Sequence, residues 1–323
     1  MRHLRFLLAA CLLTSNTGCK SLREMFGIKP PSPNPQTGVV QKVSAEQLVG
    51  YLNIQAGRLH SVSYGEVTVS AKEGDGIRGA IKEMAYPNLR GNLSASQPRN
   101  FRMVAKGGLV DVKVDLGSNP EQFWVYFTAP QTQPMYVFAS HTDFESGKVK
   151  IPGNMPVDPD WIMQALGMTT FPTSLPYTST MDERTRTYTL SWPTTTPNGV
   201  PIKKEIVFAA DDAEASHNQA QVKKHLIRDM KGKVLAFAEI KSAKTVPTGG
   251  TDPQSGRPYV VQYPTELLLR WEEQKFEMLM KLDAGRVNGQ MTPQDNKRLF
   301  DLPNIPGANP VNLAEARFDN TGR

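Results

Sequence analysis

The pattern that most constrains the fold is a period-two alternation of apolar and polar side chains, which begins near residue 60. It is simplest at 110–115, where three valines alternate with Asp111, Lys113 and Asp115. Such alternation places one row of side chains on each face of a strand. Turn-forming stretches rich in Gly, Pro and Asn separate successive runs. The chain is therefore predicted to be mainly β, in an antiparallel meander.

Two segments depart from this alternation and show helical spacing instead. Ser44 and Gln47 form a capping box ahead of apolar residues spaced three and four apart, which predicts a helix of about 15 residues. Pro159 begins a second predicted helix, whose apolar stripe includes Trp161 and which ends at Gly167. Further strands are predicted at 185–190, 203–208, 223–229, 233–240, 265–271 and 276–282, with a polar loop at 248–257.

The first nineteen residues have the layout of a bacterial lipoprotein signal peptide. A basic start precedes an apolar run at 6–13, and small and polar residues then lead to Cys19. Cys11 follows a better-matching Leu-Ala-Ala triplet, but cleavage there leaves an apolar run shorter than the roughly 7–15 residues that a signal requires. We therefore predict lipid attachment at Cys19, with ordinary secretion of a soluble chain as the alternative.

The stretch after Cys19 contains four prolines between residues 30 and 35, which favours a stiff, extended tether. The predicted organisation has four parts. Residues 1–18 are a signal peptide, and 19–43 are the lipidated cysteine with its tether. A single folded domain spans 44–303, and 304–323 form a flexible tail.

The net charge of +6 does not indicate a nucleic-acid partner. Two of the 37 basic residues lie within the predicted signal peptide, which contains no acidic residue, so the mature chain carries only +4. This charge is mild and dispersed along the chain, whereas nucleic-acid-binding domains concentrate basic residues on one face.

The sequence contains no catalytic or metal-binding motif of high specificity. The histidines have neither partners four residues away nor adjacent cysteines, so we predict no metal site and expect scattered surface histidines. Residues 74–79 match G-x-G-x-x-G without the required helix, which favours a hairpin loop. Asp111 and Asp115 share a strand face with Lys113 between them, which favours a solvated face over an acid–base pair. We predict no enzymatic activity and no cofactor. The alternative is a hydrolase that groups His217 or His225 with an acid and a serine.

Bulky aromatic and methionine side chains recur on many of the predicted strands. They are typical either of a packed sheet core or of a concave apolar face that accepts an acyl chain, for which flexible methionine is well suited. The candidate residues for such a hydrophobic cavity are Phe123, Val125, Phe127, Trp161, Leu267, Leu269, Trp271, Phe276, Met278 and Met280.

The order of these elements resembles the LolA/LolB-like superfamily of bacterial envelope proteins. An amphipathic helix follows the tether, then a long meander, an inserted helix and final hairpins. Local stretches also resemble envelope lipoproteins of this kind, namely 100–103, 115–119 with Phe123-Trp124, and 263–266 leading into Leu267 and Arg270-Trp271.

The resemblance implies an incomplete antiparallel β-barrel, or strongly curved sheet, with an N-terminal helix and an inserted helix covering the concave face. It also implies non-covalent binding of an acyl chain or a lipidated partner at that face. Lys20 is not the acidic residue associated with inner-membrane retention, so we expect an outer-membrane anchor facing the periplasm. The alternative function is a structural envelope lipoprotein whose core is filled by its own side chains.

Overall fold

The structure is a computed structural model of the 323-residue chain. It describes residues 43–73, 84–108, 111–130, 133–149, 159–210, 222–253, 256 and 258–316. The predicted signal peptide, both cysteines, the proline-rich tether, the glycine-rich 74–79 segment and His217 lie outside the described residues.

The described residues form one 14-stranded sheet. The strands are β1 (Ser61–Glu73), β2 (Met84–Ser96), β3 (Asn100–Lys106), β4 (Lys113–Ser118), β5 (Gln122–Thr128), β6 (Met135–Ser140), β7 (Thr178–Asp182), β8 (Thr187–Thr195), β9 (Pro201–Ala209), β10 (Val222–Asp229), β11 (Val234–Thr251), β12 (Pro258–Trp271), β13 (Phe276–Val287) and β14 (Val311–Asn312).

The strand order is β14-β6-β5-β4-β3-β2-β1-β13-β12-β11-β10-β9-β8-β7. Consecutive strands pair antiparallel within two meanders, and β1 joins the meanders by pairing antiparallel with β13. Within the described residues the edge strands β14 and β7 do not pair with each other, so the curved sheet stays unclosed. The predicted class, a mainly β incomplete barrel with an N-terminal helix, is confirmed.

Four helices accompany the sheet in the described part of the chain: α1 (Ala45–Arg58), α2 (His141–Glu145), α3 (Pro159–Ala165) and α4 (Pro293–Phe300). Helix α1 begins with the predicted capping box, in which Gln47 N donates to Ser44 Oγ (3.2 Å) and Ser44 N donates to Gln47 Oε1 (2.8 Å). Its apolar stripe, which includes Leu48 and Leu52, is buried. No helix among the described residues is long and apolar enough to cross a membrane.

Helix α1 and residues 161–177 pack on the concave face over strands β8 to β13. The Tyr51 ring of α1 meets Phe208 of β9 edge-on at 6.2 Å, and Phe171 meets Trp192 of β8 at 5.8 Å. Trp161 of α3 belongs to the same buried cluster as strands β1–β3 and β10–β13. The inserted helix therefore covers the concave face, as predicted.

The hairpin of β11 and β12 extends into the segment that was predicted to be a polar loop. Strand β11 continues to Thr251, and β12 begins at Pro258. Glycine and proline in this stretch hid the alternation of apolar and polar residues that marks a strand. The pairing of β11 with β12 is irregular here, and Gly249 adopts a left-handed φ of 83°. Val261 is nevertheless fully buried, so the strand is anchored by its apolar side chains.

The prediction of a flexible tail from residue 304 is wrong for residues 304–316. Strand β14 pairs parallel with β6, and Leu313 N donates to Phe138 O at 2.8 Å. The Leu313 side chain is buried against Phe123 and Ala139. A strand of two residues is too short to show an alternation of apolar and polar side chains, and it therefore could not be predicted from this pattern.

Candidate functional site: a cavity beneath the covering helices

The residues predicted to line a hydrophobic cavity occupy two separate parts of the interior. Six of them lie in the main buried cluster, namely Trp161, Leu267, Leu269, Trp271, Met278 and Met280. Phe127 and Phe276 are partly buried and pack against this cluster. Phe123 lies in a second cluster with Ala139 and Leu313. Val125 is half-buried and pairs with Val137 of β6.

The part of the concave face that carries Trp271 is filled by side chains of the protein itself. The Trp161 ring meets Trp271 edge-on at 5.4 Å, and Trp271 contacts Phe276 at 5.5 Å. Met163 and Met168, which flank the end of α3, are 1% exposed. Helix α3 therefore covers this filled part of the face.

A cavity of about 50 Å³ opens beside this filled region, between α1, residues 164–171 and strands β10–β12. Its lining combines apolar side chains with several uncharged polar ones: Tyr51, Leu52, Gln55, Gln164, Ala165, Leu166, Gly167, Thr169, Phe171, Val222, His225, Ile240, Ala243, Gln262, Tyr263 and Pro264. None of these is among the residues predicted to line a hydrophobic cavity, although His225 was considered for the alternative hydrolase site. The cavity is created by the packing of α1 and residues 164–171 against strands distant in sequence.

His225 is the titratable group of greatest interest in this lining. Its side chain is buried, at 4% exposure, although surface histidines were expected. Burial, with a smaller contribution from the positive charge of Lys204, lowers the pKa of the imidazole to about 4. His225 is therefore neutral at pH 7, and its ring makes no hydrogen bond with any described residue.

Hydrogen bonds also hold the part of the cavity lining that α1 and β12 contribute. Gln262 N donates to Gln55 Oε1 at 3.2 Å, which ties α1 to β12. Tyr64 Oη donates to Pro264 O at 2.8 Å, and burial raises the pKa of the Tyr64 phenol far above its ordinary value. These bonds hold Gln55, Gln262 and Pro264, which line the cavity.

Two sets of side-chain hydrogen bonds, made by Asn53 and by Gln97 and called clamps below, hold α1 and residues 161–177 together as a cover over the sheet. Asn53 of α1 binds the backbone of Phe171 twice, donating from Nδ2 to the carbonyl (2.9 Å) and accepting from the amide (2.7 Å). Gln97 Nε2 lies within donor range of three carbonyl oxygens, those of Ala56 (2.7 Å), Leu59 (3.2 Å) and Met168 (2.9 Å). Both clamps join α1 to the segment after α3, so these two covering elements are coupled.

The geometry does not assemble a hydrolase site from the described histidines. His141 Nε2 lies 3.1 Å from Ser118 Oγ but also 2.9 Å from Asn119 O, and both side chains are buried. A ring nitrogen that donates to Asn119 O is not a base for the serine hydroxyl. The pair therefore fastens α2 to the end of β4.

The prediction of a solvated face at Asp111 and Asp115 is wrong for Asp115. Arg102 donates to both of its carboxylate oxygens, at 3.2 Å and 2.8 Å, and Trp124 Nε1 donates to Oδ1 at 3.1 Å. Asp115 is 7% exposed, whereas the Asp111 side chain is 81% exposed. The buried pair lies beneath α4, since Arg102 Nη1 also donates to Leu299 O. The pair therefore has a structural role. Among the described residues, no group of three or more side chains is arranged to hold a metal ion.

The fold and this cavity define a class: an open antiparallel barrel with helices across its concave face and a small cavity beneath them. No protein-family model and no curated protein sequence matches the chain. The similar solved structures include proteins of three bacteria, and the LolA superfamily indicated by the sequence is among them.

A domain from Vibrio parahaemolyticus named for outer membrane lipoprotein sorting is 10% identical, with a TM-score of 0.45 over 79% of this chain and 97% of that one. A DUF1329 family protein from Desulfovibrio piger gives 10% identity and a TM-score of 0.45, over 79% of this chain and 96% of that one. A LolA superfamily protein from Nitrosomonas europaea is 8% identical, with a TM-score of 0.39 over 81% of this chain and 99% of that one. At such low identities, function has to be inferred from the cavity itself.

Proposed function

We propose that this chain is a non-catalytic binding protein that holds a hydrophobic ligand, an acyl chain or a lipidated partner, against its concave face. The observation that carries the proposal is the cavity at the junction of α1, residues 164–171 and β10–β12. Ala165, Leu166 and Tyr263 line this cavity and also belong to the main buried cluster. A chain that enters the cavity therefore continues along an apolar path beneath α3.

Binding requires the covering elements to move. The cavity of about 50 Å³ is well below the ≈ 300–1,000 Å³ of ordinary ligand sites. Methionine side chains such as Met163 and Met168 repack at low cost because they are unbranched and flexible. The ligand accordingly displaces part of the cover, which the Asn53 and Gln97 clamps otherwise hold closed.

The proposal includes the location of the protein, which rests on the sequence. The sequence pattern of a lipoprotein signal peptide at 1–18, followed by Cys19 and the proline-rich stretch within 19–43, supports a membrane-anchored envelope lipoprotein acylated at Cys19. The residue after the cysteine, Lys20, supports placement in the outer membrane, facing the periplasm. A tethered protein of this kind receives a ligand or presents it and does not carry it between membranes.

The proposal is tested with the hydrocarbon fluorophore diphenylhexatriene and the mature protein. We expect the probe to bind, with enhanced emission, and palmitoyl ligands delivered from cyclodextrin to displace it. Ala165→Phe places a ring in the cavity from a position that is 2% exposed, so it is expected to weaken probe binding at least tenfold. Thr170→Phe, at an exposed neighbouring position outside the lining, is the matched control.

A structural role with a self-filled core is the second candidate, because the cavity is small and Trp161 fills the adjoining face. It predicts that neither the wild type nor Asn53→Ala binds the probe, since no apolar volume becomes accessible when a clamp is lost. Saturable binding to the wild type that Ala165→Phe weakens excludes this second candidate. Absence of binding in all variants overturns the first.

A further inference from the structure

The cavity is lined by a buried histidine whose ring has no hydrogen-bond partner among the described residues. His225 lies on β10 and lines the cavity, is 4% exposed, and takes part in the sheet through its backbone only. Buried polar side chains nearly always have partners, because an unpaired donor or acceptor loses its hydration without compensation. A cavity that presents one such group is suited to a ligand, or water, that supplies the missing bond.

The surroundings of His225 restrict the chemistry of that ligand. The described lining contains no Asp, Glu, Lys or Arg, and its other polar side chains are amides, hydroxyls and phenols, such as Gln55, Thr169 and Tyr263. Lys204 on β9 is the charged group that acts on His225, and it is not part of the lining. A carboxylate or phosphate buried here lacks a cationic partner in contact with it, which is strongly unfavourable.

A neutral imidazole offers one N–H donor and one acceptor nitrogen. The carbonyl of an ester or amide accepts one hydrogen bond from such a donor, and a hydroxyl also donates to the acceptor. The cavity volume of about 50 Å³ corresponds to a few water-sized sites, since one water needs roughly 10–15 Å³. It accommodates an ester or amide group but not the chain attached to that group.

We propose that His225 is the polar subsite of the cavity, where it hydrogen-bonds the uncharged carbonyl or hydroxyl group of an acyl ester or acyl amide. This inference rests on the proposed function, because the acyl chain must lie beneath α3 while its polar end contacts His225. It adds a selectivity: the site prefers esters and amides to free fatty acids and to plain hydrocarbon.

Displacement of diphenylhexatriene tests the subsite, with methyl palmitate, palmitate and hexadecane as competitors. We expect the wild type to bind methyl palmitate most tightly. In His225→Phe, which keeps a ring of similar size, the ratio of methyl palmitate to hexadecane affinity is expected to fall about tenfold, the effect of one buried hydrogen bond. His225→Gln, which restores an amide donor and acceptor, should recover most of that ratio. His60→Phe, at an exposed histidine, is the control.

A second readout uses the wild type alone and does not depend on how the variants fold. In ¹⁵N-histidine NMR, methyl palmitate is expected to shift the ring nitrogens of His225, whereas hexadecane is expected to leave them in place. If the fluorophore binds but the affinity ratio is the same in the wild type and His225→Phe, with no shift, the polar subsite is overturned and the proposed function stands. If the fluorophore does not bind at all, both fall together.

Discussion

At the scale of single residues, His225 gives the chain a specific pH dependence of stability. Its pKa of about 4 lies below the unfolded value of 6.5, so between these values the unfolded chain binds a proton that the native chain excludes. The titration of His225 therefore leaves the free energy of unfolding unchanged above pH 6.5. Between pH 6.5 and 4 it lowers the free energy of unfolding by about 3 kcal/mol.

The measurement is the free energy of unfolding of the wild type and His225→Phe by denaturant titration at several pH values. The advantage of the variant over the wild type is expected to grow as the pH falls from 6.5 to 4. Carboxylates with lowered pKa values, such as Glu205, also titrate in acid but contribute equally to both proteins. A pH-independent difference would show that His225 is not buried and neutral.

Asp115 and Asp111 form a natural pair for a second prediction. Asp115→Ala leaves Arg102 and the indole N–H of Trp124 without their acceptor in a buried site, and we expect a loss of about 3 kcal/mol. Asp111→Ala, at an exposed position, should stay within about 0.5 kcal/mol of the wild type. Thermal denaturation of both variants measures the difference, and equal stabilities would contradict the structural role of Asp115.

At the scale of elements, the coupling between α1 and residues 166–171 is the feature that controls access to the cavity. Asn53→Ala removes two short hydrogen bonds to the backbone of Phe171. We expect about tenfold faster amide hydrogen exchange in both segments, because each opens more often from the sheet.

Asn92→Ala, at an exposed position on β2, is the control for this exchange experiment. It is expected to leave protection of α1 unchanged. If Asn53→Ala accelerates exchange in one covering segment only, the two do not open as a unit, and the clamp account is wrong.

Strand β14 and the residue that follows it offer a matched pair of positions at the other edge of the sheet. Leu313 is 7% exposed against Phe123 and Ala139, so Leu313→Ala is expected to destabilise the protein by about 2 kcal/mol. Val311→Ala, at a position that is 50% exposed, should have little effect. Equal melting temperatures for the two variants would indicate that residues 304–316 are the flexible tail that the sequence predicted.

The sequence predicts best where a structure depends on neighbouring residues. Ser44 and Gln47 bond across one helical turn, and the capping box was therefore visible before the structure. The buried partner of Asp115 is Arg102, thirteen residues away across a hairpin, so the charge pattern of one strand suggested solvent exposure. The cavity was not predicted because its lining joins α1, residues 164–171 and β10–β12, which only the fold brings together.

At the scale of the whole molecule, the pairing of β1 with β13 brings the two meanders into one curved sheet. This places the apolar side chains of β1–β3 and β10–β13 on one continuous face, beneath α3. Two consequences follow for function. The apolar face is continuous across both meanders, and α1 and residues 161–177 are the elements that a ligand at this face would displace.

The most direct test of a hydrophobic ligand at this face is native mass spectrometry of the mature protein extracted from membranes with a mild detergent. We predict a non-covalent adduct with the mass of an acyl ester or amide, released on denaturation and therefore distinct from any acyl group attached at Cys19. The adduct should be depleted in Ala165→Phe and retained in Thr170→Phe. Repeated spectra of the wild type without any adduct, before and after incubation with methyl palmitate, would contradict the account.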